Sequence, residues 1–462
     1  MKRRDFLKTG SLAALGGMLL TPFGAKANTI KEEFRGRKAK NIIFMVSDGM
    51  SVGTMIMADI YLKRKNGKSS NWVGLYEDNL VQRALMDMAS ANAIVTDSAA
   101  ASSSWGGGVR VNNGSLNVSP NGKENMPILQ KFKQAGKKVG CVTTVPITHA
   151  TPAGFCVTSK RRNAMDHIAE QYAELNFDVM MGGGSQYFDK DKRKDKKDVF
   201  DLFAKKGYTI AKTKSEMLSA PKNKPILGTF DEDAVPYTVD HLRDEKASKN
   251  IPTLAEMAQK AIDQMKDHKN GFALQIEGGK VDWAAHGNDI AALLFDQIAF
   301  DEAVKVVMDF AKKDKNTLVV ITSDHGNANP GLIYGGKTND NFDHLQKFTH
   351  SNDWVLQGIH ASSSTSFVKD RIAEACGGFA ITDEQAKELL SYYNNLKKED
   401  GLYNHKNLPF RALAEMQKAY TSVGWISMDH SSDYTELAMY GPGSENLKSF
   451  VRNTDMHNFL LN

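Results

Sequence analysis

The stretch NIIFMVSDGM, residues 41–50, decides the fold class, because its apolar run ends directly at Asp48 and a glycine. Strands that are buried on both faces of a parallel sheet show such nearly continuous apolar runs. Similar runs recur at residues 138–145, 272–276, 317–322 and 436–440. The sequence therefore predicts a large, mostly parallel sheet, and in such sheets the chemistry gathers beyond the carboxyl ends of the strands.

Helical patterns lie between these runs. Apolar residues recur at three- and four-residue spacing in residues 127–135, 168–175, 251–265 and 291–311. The alternation of strand and helix predicts an α/β fold, a three-layer αβα sandwich with the sheet in the middle.

Residues 329–420 do not continue the alternation of strand and helix patterns, and they are rich in Asn, His, Lys and Ser. Amphipathic helical stretches at residues 383–396 and 409–420 predict a mainly helical insertion near the C-terminus, over the sheet. No Pro/Ser-rich linker divides the chain, so we expect residues 28–462 to form one domain around one large sheet.

The first 27 residues are typical of an export signal. Arg3 and Arg4 lie in a charged start, an apolar run follows at residues 10–23, and Ala25-Lys26-Ala27 is a small-x-small cleavage site. This pattern predicts a twin-arginine signal peptide and a periplasmic or extracellular protein without a stable membrane anchor after cleavage. The alternative, a membrane anchor, is weaker because the apolar run is shorter than the ~20 residues that a spanning helix needs.

The charge balance of the chain argues for neither nucleic acid nor anionic lipid as a partner. The N-terminal segment holds five basic residues and one acid, so its removal lowers the formal net charge from +5 to about +1. That balance indicates no nucleic-acid-binding surface. The mixed-charge run at residues 189–198 is predicted to be a solvated loop. Three cysteines allow at most one disulfide, and the apolar surroundings of Cys141 favour buried thiols, with the state of the pair Cys141 and Cys156 left open.

Two predicted strand ends carry candidate metal ligands. Asp48 and Gly49 directly follow the first apolar run. An Asp-Gly pair at a strand end forms a simple turn as often as it belongs to a functional site. Asp324 and His325 stand side by side after the run at residues 317–322. Carboxylate plus imidazole is a good ligand pair for divalent metals, although an Asp that caps the next segment beside an incidental histidine is the alternative.

The segment ALQIEGGKVDWAAHGND, residues 273–289, adds three more candidates. Glu277 ends a strand, and Asp282 and His286 are spaced i, i+4, which places both on one face of a helix. A surface pair is the alternative, but the preceding buried strand and Gly-Gly turn make it weaker. His430 precedes the last apolar strand and would be an ordinary histidine if it stood alone.

The segment TTVPITHATPAGF, residues 143–155, is a loop shaped by two prolines around His149 and Thr151. A threonine hydroxyl suits a hard cation such as magnesium. Arg161 and Arg162 follow, and one guanidinium can hold two phosphate oxygens at once, although paired arginines are usually surface charge.

In IVTDSAAASSSWGGG, residues 94–108, Asp97 and Ser98 begin a predicted short helix. Ser98 is either an ordinary first-turn residue or a nucleophile, and this stretch alone does not decide. Every candidate carboxylate and imidazole falls at a strand end or in the loop beside one, and together they supply ligands for two or three metals.

Six motifs in order resemble the alkaline phosphatase family: DGM at Asp48, VTDSAAA around Ser98, HATPAGF from His149, EGGKVDWAAH from Glu277, SDHGN around Asp324 and DHSSD around His430. They span residues 41–442, and only residues 329–420 carry no matching motif. The resemblance implies hydrolysis of phosphate monoesters, with Ser98 as the nucleophile that becomes phosphoserine. A homodimer is among the assemblies that it leaves open.

The resemblance also implies the site roles. One zinc ion would be held by Asp282, His286 and His430, and a second by Asp48, Asp324 and His325 beside Ser98. A magnesium ion would use Asp48, Thr151 and Glu277. Arg162 matches the phosphate-binding arginine, since it lies thirteen residues beyond His149. Asp97 would orient Arg162 by an ion pair.

Two residues depart from parts of the family. His149 stands near the third ion, where some members have Asp, and a nitrogen donor shifts preference away from magnesium. Trp283 stands where other members carry a Lys or His that helps bind phosphate. This difference predicts weaker binding of the product phosphate and its faster release.

Two alternatives to a phosphomonoesterase fit the same residues. A phosphodiesterase of the same superfamily would keep the metal ligands but more often carries Thr as nucleophile. A non-catalytic exported phosphate- or metal-binding protein would bind without turnover. A sulfatase is disfavoured, because no Cys- or Ser-x-Pro-x-Arg segment is present.

Overall fold

A computed structural model describes residues 33–399 and 402–462 of the chain. The predicted signal peptide, residues 1–27, lies outside the described residues. Within them, a sheet of ten strands forms the middle layer and helices cover both of its faces. The predicted αβα sandwich with a large, mostly parallel sheet is confirmed.

The ten strands, in chain order, are β1 (Asn41–Ser47), β2 (Gln82–Asp87), β3 (Lys138–Pro146), β4 (Val179–Gly183), β5 (Thr209–Ala211), β6 (Ile226–Thr229), β7 (Phe272–Gly278), β8 (Thr317–Thr322), β9 (Thr435–Tyr440) and β10 (Phe450–Arg452). Their order across the sheet is β10-β2-β9-β8-β1-β7-β3-β4-β6-β5. The five apolar runs are thus strands β1, β3, β7, β8 and β9, and all five are consecutive neighbours in the sheet. Of the other five strands, β4, β5, β6 and β10 are shorter, and β2 is of similar length but only partly buried.

Strand β9 runs against its two neighbours, whereas all other pairs in the sheet are parallel. Because of this reversal, β9 begins at the edge where the parallel strands end. Residues just before β9 therefore reach the same edge as residues just after β1, β7 and β8.

The α-helices of the described residues are α1 (Val52–Asn66), α2 (Asn71–Glu77), α3 (Ser98–Gly106), α4 (Ile128–Gln134), α5 (Ala150–Cys156), α6 (Met165–Leu175), α7 (Val199–Lys205), α8 (Lys214–Ser219), α9 (Thr238–His241), α10 (Glu245–Asn250), α11 (Leu254–Met265), α12 (Lys280–His286), α13 (Ile290–Asp314), α14 (Thr338–His344), α15 (Asn352–Gln357), α16 (Thr365–Ala375), α17 (Asp383–Ser391), α18 (Phe410–Thr421) and α19 (Asp455–Leu461). Four of them, α4, α6, α11 and α13, occupy the four predicted helical stretches to within a few residues.

Two cores lie on the two faces of the sheet. Alternate side chains of β1 enter different cores, with Ile43 and Met45 on one face and Phe44 and Val46 on the other. Helices α1, α11 and α13 cover the first face, and α3 to α6 cover the second. Both faces of the strand are buried, which explains its unbroken apolar sequence.

The region between residues 329 and 420 is mainly helical, as predicted, and contains α14 to α18. Its two ends pair with each other as a short antiparallel ladder of Gly331–Leu332 with Val423–Gly424. Phe342, Val355 and Leu413 belong to the same core as α13. The insertion is therefore packed onto the first face of the sheet.

The run at residues 189–198 is a loop, but the prediction that it is solvated throughout is wrong. The side chain of Arg193 is fully buried and pairs with Glu170 and Asp195 at 2.6 Å each. It also donates to the backbone carbonyls of Asp166 and Tyr187. A buried guanidinium is tolerated here because nearly all its donors find acceptors.

The three cysteines are buried free thiols, and the Sγ atoms of Cys141 and Cys156 lie 3.3 Å apart. Among the described residues, no helix combines the length and the apolar character that crossing a membrane requires.

Candidate active site

Three acidic side chains meet at the carboxyl edge of the sheet because of strand register. β1 lies between β7 and β8, and Val46 is level with both Glu277 and Thr322. Asp48 and Asp324 each follow their strand by one or two residues, so both reach the level of Glu277. All three carboxylates are fully buried.

Gly49 allows the backbone after β1 to lie close to Asp282. Its φ is 66°, in the left-handed region that favours glycine, and a Cβ atom there would collide with the carboxylate of Asp282. The backbone N–H of Gly49 donates to Oδ1 of Asp324 at 3.0 Å. The glycine that followed Asp48 in the sequence is thus part of the site and not only a turn.

A first ligand group consists of Asp282 and His286 on α12 and His430 ahead of β9. His286 Nδ1 lies 2.6 Å from the carbonyl of Met428, and His430 Nδ1 lies 3.0 Å from the carbonyl of Thr96. Since a carbonyl only accepts, both Nδ1 atoms carry protons, and the two Nε2 atoms are left as donors to a metal. These Nε2 atoms are 3.1 Å apart.

Asn327 holds the carboxylate of this group in place, donating to Oδ1 of Asp282 at 2.7 Å. Sequence reasoning did not single out Asn327. Its position in the SDHGN motif was the available signal, because it follows two candidate ligands directly.

A second group surrounds His325, with Asp48 and Asp324 on its two sides. His325 Nε2 lies 3.5 Å from Oδ1 of Asp48 and 3.3 Å from Oδ2 of Asp324. Asp282 also lies close to this group, since ligand atoms of Asp48, Asp282 and His325 all lie within 4.8 Å of one another. Asp324 still offers a ligand atom, since its Oδ2 is buried and has no hydrogen-bond partner.

A third group brings together Asp48, Glu277 and His149. Thr151 donates to Oδ2 of Asp48 at 3.4 Å. Thr143 on β3 is level with Glu277 in the sheet and donates to its Oε2. Sequence reasoning missed Thr143, because a threonine inside a buried strand reads as ordinary β-sheet composition.

Burial and mutual repulsion raise the pKa values of these acids. Burial, and then the neighbouring carboxylates, raise the pKa of Asp324 to about 8 and that of Asp48 well above its usual range. Burial also raises the pKa of Glu277 to about 7. Burial, and then Arg162, lower the pKa of His149 to about 3, so its imidazole is neutral and able to donate a lone pair.

The donor set fits divalent cations. Four buried ligand atoms lack a hydrogen-bond partner among the described residues: Asp48 Oδ1, Asp324 Oδ2, Glu277 Oε1 and His149 Nδ1. Buried carboxylates are costly unless a cation or hydrogen-bond donors compensate them. Oxygen and imidazole donors gathered in this way are the ligands that zinc and other divalent metals take.

Ser98 is the first residue of α3, and its Oγ lies 3.2 Å from Nε2 of His325. Asp97 caps this helix, accepting from the N–H of Ala100 at 2.9 Å. The hydroxyl is buried and stands at a helix end, where free N–H groups and the helix dipole favour an anion. The predicted short helix and the nucleophile position are therefore compatible.

Arg162 closes the other side of the site. Its Nη1 pairs with Oδ2 of Asp97 at 3.0 Å, and its Nη2 lies 3.3 Å from Nε2 of His149. Trp283 lies edge-on to the ring of His149, with 6.0 Å between centroids. The structure thus brings all the sequence-predicted site residues, from Asp48 to His430, to one edge of the sheet.

Fold and site together define a hydrolase-type α/β protein with a candidate metal centre around a serine. Known proteins are similar to this chain in sequence and fold. The family model for alkaline phosphatase matches residues 39–462. Alkaline phosphatase 4 of Bacillus subtilis is 31% identical over 442 residues, which cover 91% of this chain and 88% of that protein. The alkaline phosphatase of Escherichia coli is 29% identical over 388 residues, covering 71% and 82% of the two chains.

Solved structures agree. The crystal structure of Thermus thermophilus alkaline phosphatase superposes with a TM-score of 0.85 at 30% identity, covering 96% of this chain and 94% of that one. The chain belongs to the alkaline phosphatase family. The prediction of a phosphoric monoester hydrolase is confirmed.

Proposed function

We propose that this chain hydrolyses phosphate monoesters through a phosphoserine formed on Ser98. The observation that carries the proposal is the position of the Ser98 hydroxyl, 3.2 Å from His325 within the ligand set and at the start of α3. Serine is a weak nucleophile unless a base or a metal activates it, and the surrounding donor set provides for a metal.

Two zinc ions and one magnesium ion are the proposed cofactors. Asp282, His286 and His430 would hold one zinc ion. Asp48, Asp324 and His325 would hold the other, and Asp48, Thr151 and Glu277 the magnesium ion. Such ions activate oxygen nucleophiles near neutral pH and stabilise charge on attacking and leaving oxygens. The four unpartnered buried ligand atoms support this assignment.

The protein's own groups position and stabilise the reacting phosphoryl group. Ser98 Oγ attacks phosphorus in line with the departing oxygen, and water later hydrolyses the phosphoserine, so two inversions give net retention. Arg162, oriented by Asp97, would hold two of the non-reacting oxygens. The free N–H groups at the start of α3 would stabilise the same charge.

We propose that two residues change the metal selectivity and the product binding of this site. His149 offers a nitrogen atom to the third ion, which lowers selectivity for magnesium. Trp283 places an indole where other members offer a polar group, so product phosphate binds more weakly and leaves faster.

We further propose that the chain is exported by a twin-arginine signal peptide at residues 1–27, and that residues 28–462 form the catalytic domain with an insertion at residues 329–420. Small phosphate monoesters are the proposed substrates, and a homodimer is the proposed assembly. Supporting the first point, the sequence before residue 28 has the charged, apolar and cleavage regions of such signals.

Trapping the phosphoenzyme tests the proposal. Protein incubated with a ³²P-labelled aryl monoester and quenched in acid should retain label on Ser98. Ser98→Ala should remove the label and lower kcat by orders of magnitude, while still binding divalent metal. Retained turnover in that variant would contradict the assignment of the nucleophile.

Comparing an aryl monoester with its diester separates the enzyme alternatives. We expect a higher kcat/KM on the monoester, since Arg162 matches two free oxygens of a terminal phosphate. A diester preference would identify a phosphodiesterase instead. Binding of metal and phosphate with no turnover of either ester would identify a non-catalytic binding protein.

A further inference from the structure

A cleft of about 520 Å³ opens beside the proposed phosphate-binding arginine. Its wall is formed by consecutive residues 160–164 on one side and by Asn113 and Gly114 on the other. Arg162 lines this cleft and also contacts Asp97 and His149 of the site. The cleft is therefore continuous with the site through a single side chain.

Hydrogen bonds join the two walls of the cleft to each other and to α3, the helix that begins with Ser98. The backbone N–H of Arg162 donates to the carbonyl of Gly114 at 2.8 Å, and the N–H of Gly114 donates to Oδ2 of Asp97 at 2.9 Å. Asp97 in turn caps α3. The cleft is thus a built extension of the site and not a separate surface hollow.

The charge of this cleft is uncompensated. Arg162 is balanced by Asp97, but Lys160 and Arg161 are exposed and their side chains form no ion pair with the residues that the structure describes. The neighbouring acid Asp166 already pairs with the buried Arg193. Two unpaired cations therefore face an open space next to the place proposed for the substrate's phosphate.

We propose that this cleft is a subsite for a second anionic group of the substrate, and that Lys160 and Arg161 determine a preference for monoesters that carry a second phosphate. The inference rests on the function proposed above. One phosphate would lie between Arg162 and Ser98, and the other in the cleft. The amide of Asn163, which also lines the cleft, supplies a neutral donor for its oxygens, and the amide of Asn113 has one N–H left beside the one it donates to Val95.

Matched substrates test the subsite. Release of phosphate is followed with propane-1,3-diol monophosphate and propane-1,3-diol bisphosphate at low ionic strength. The bisphosphate has two equivalent ends, so a twofold advantage in kcat/KM is statistical. We expect about a tenfold advantage, since each exposed charge pair contributes up to about a fivefold effect. The excess should shrink in 0.5 M salt, because exposed charges are screened.

The double variant Lys160→Glu/Arg161→Glu should reduce the bisphosphate-to-monophosphate ratio to two or below. Arg243→Glu is the matched control, since Arg243 is exposed and follows α9, which packs into the core on the opposite face of the sheet. That control should keep the wild-type ratio. A wild-type ratio of two, or a ratio unchanged in the double variant, overturns the subsite. If wild-type protein hydrolyses neither compound, the proposed function itself fails.

Discussion

The carboxylate of Asp97 lies 3.0 Å from the guanidinium of Arg162, and its other oxygen caps the helix that begins with Ser98. One side chain therefore couples the proposed nucleophile to the proposed phosphate-binding group. Both members of the pair are about one-fifth exposed, so solvent screens the interaction only in part.

Asp97→Asn should separate these two roles. An amide can still cap α3, because Asn is as good a cap as Asp, but it removes the charge that orients Arg162. We expect kcat/KM for an aryl monoester to fall about tenfold, mainly through KM, and Tm to fall slightly, because an amide oxygen that caps α3 leaves the N–H of Gly114 without its acceptor. Combined with Arg162→Ala, the substitution should add almost nothing. Additive losses in that double-mutant cycle would show that Asp97 acts independently of Arg162.

Removal of divalent metal should make stability depend on pH. In the metal-free protein the raised pKa values of Glu277 (about 7) and Asp324 (about 8) mean that the folded state holds protons that the unfolded state releases near pH 4. This stabilisation is present at low pH and lost as pH rises through 7 and 8. Urea unfolding after chelation should show a loss of several kcal/mol between pH 5 and pH 9, since each unit of raised pKa corresponds to about 1.4 kcal/mol.

With divalent metal restored, the same titration should be nearly flat, since a cation pairs with the ionised carboxylates. Glu277→Gln is the matched variant and should flatten part of the decline in the metal-free protein. A metal-free protein whose stability rises over this pH window would contradict the proposed clustering of acids.

His149→Asp should change the preference of the third ion. His149 Nδ1 is buried without a hydrogen-bond partner and lies in the group with Asp48 and Glu277. A carboxylate there adds an oxygen donor and a negative charge, which favours magnesium. We expect the magnesium concentration for half-maximal activation to fall about tenfold, as measured by activity at fixed zinc. Equal magnesium dependence in the two proteins would place His149 outside the ion's reach.

Trp283→Lys should strengthen binding of the product. A lysine at this position would bring an ammonium group to the site in place of an indole. The inhibition constant of inorganic phosphate should fall about tenfold, and kcat should fall if release becomes the slow step. Trp283→Phe is the control and should leave inhibition by phosphate nearly unchanged. If both variants responded alike, packing and not charge would be the cause.

Arg193→Met should destabilise the protein without affecting the site directly. The substitution removes the donor that Glu170, Asp195 and the backbone carbonyls of Asp166 and Tyr187 share. The carboxylates left behind are partly exposed and Glu170 keeps Lys197, so we expect a loss of about 1–3 kcal/mol. Chemical denaturation measures the loss, and Lys197→Met, at an exposed partner of the same carboxylates, should cost less than about 1 kcal/mol.

Long apolar runs and strand-end polar residues could be predicted from the sequence because they follow from burial on both faces of a sheet. Strands such as β5 and β10 could not, since each has only three residues and takes its conformation from its neighbours. The burial of Arg193 could not be predicted from the sequence either, because its partners Glu170 and Asp166 belong to α6 and lie outside the charged run.

The types of metal-ligating residues and their positions at strand ends could be predicted from the sequence. The hydrogen bonds that other residues donate to these ligands could not. Thr143 supports Glu277 only through the register of β3 with β7. Asn327 supports Asp282 across 45 residues of chain. Such partners depend on how strands align, which a local pattern does not encode.

Because β9 is antiparallel to its neighbours, the first ligand group depends on a residue that is synthesised late, His430. His430 enters the site only through the segment before β9, near the end of the chain, while its partner ligands Asp282 and His286 are synthesised about 150 residues earlier. A ribosome must therefore release almost the whole polypeptide before the first ligand group is complete. A polypeptide that ends before residue 430 lacks one member of the first ligand group, and the acidic edge of its sheet stays open.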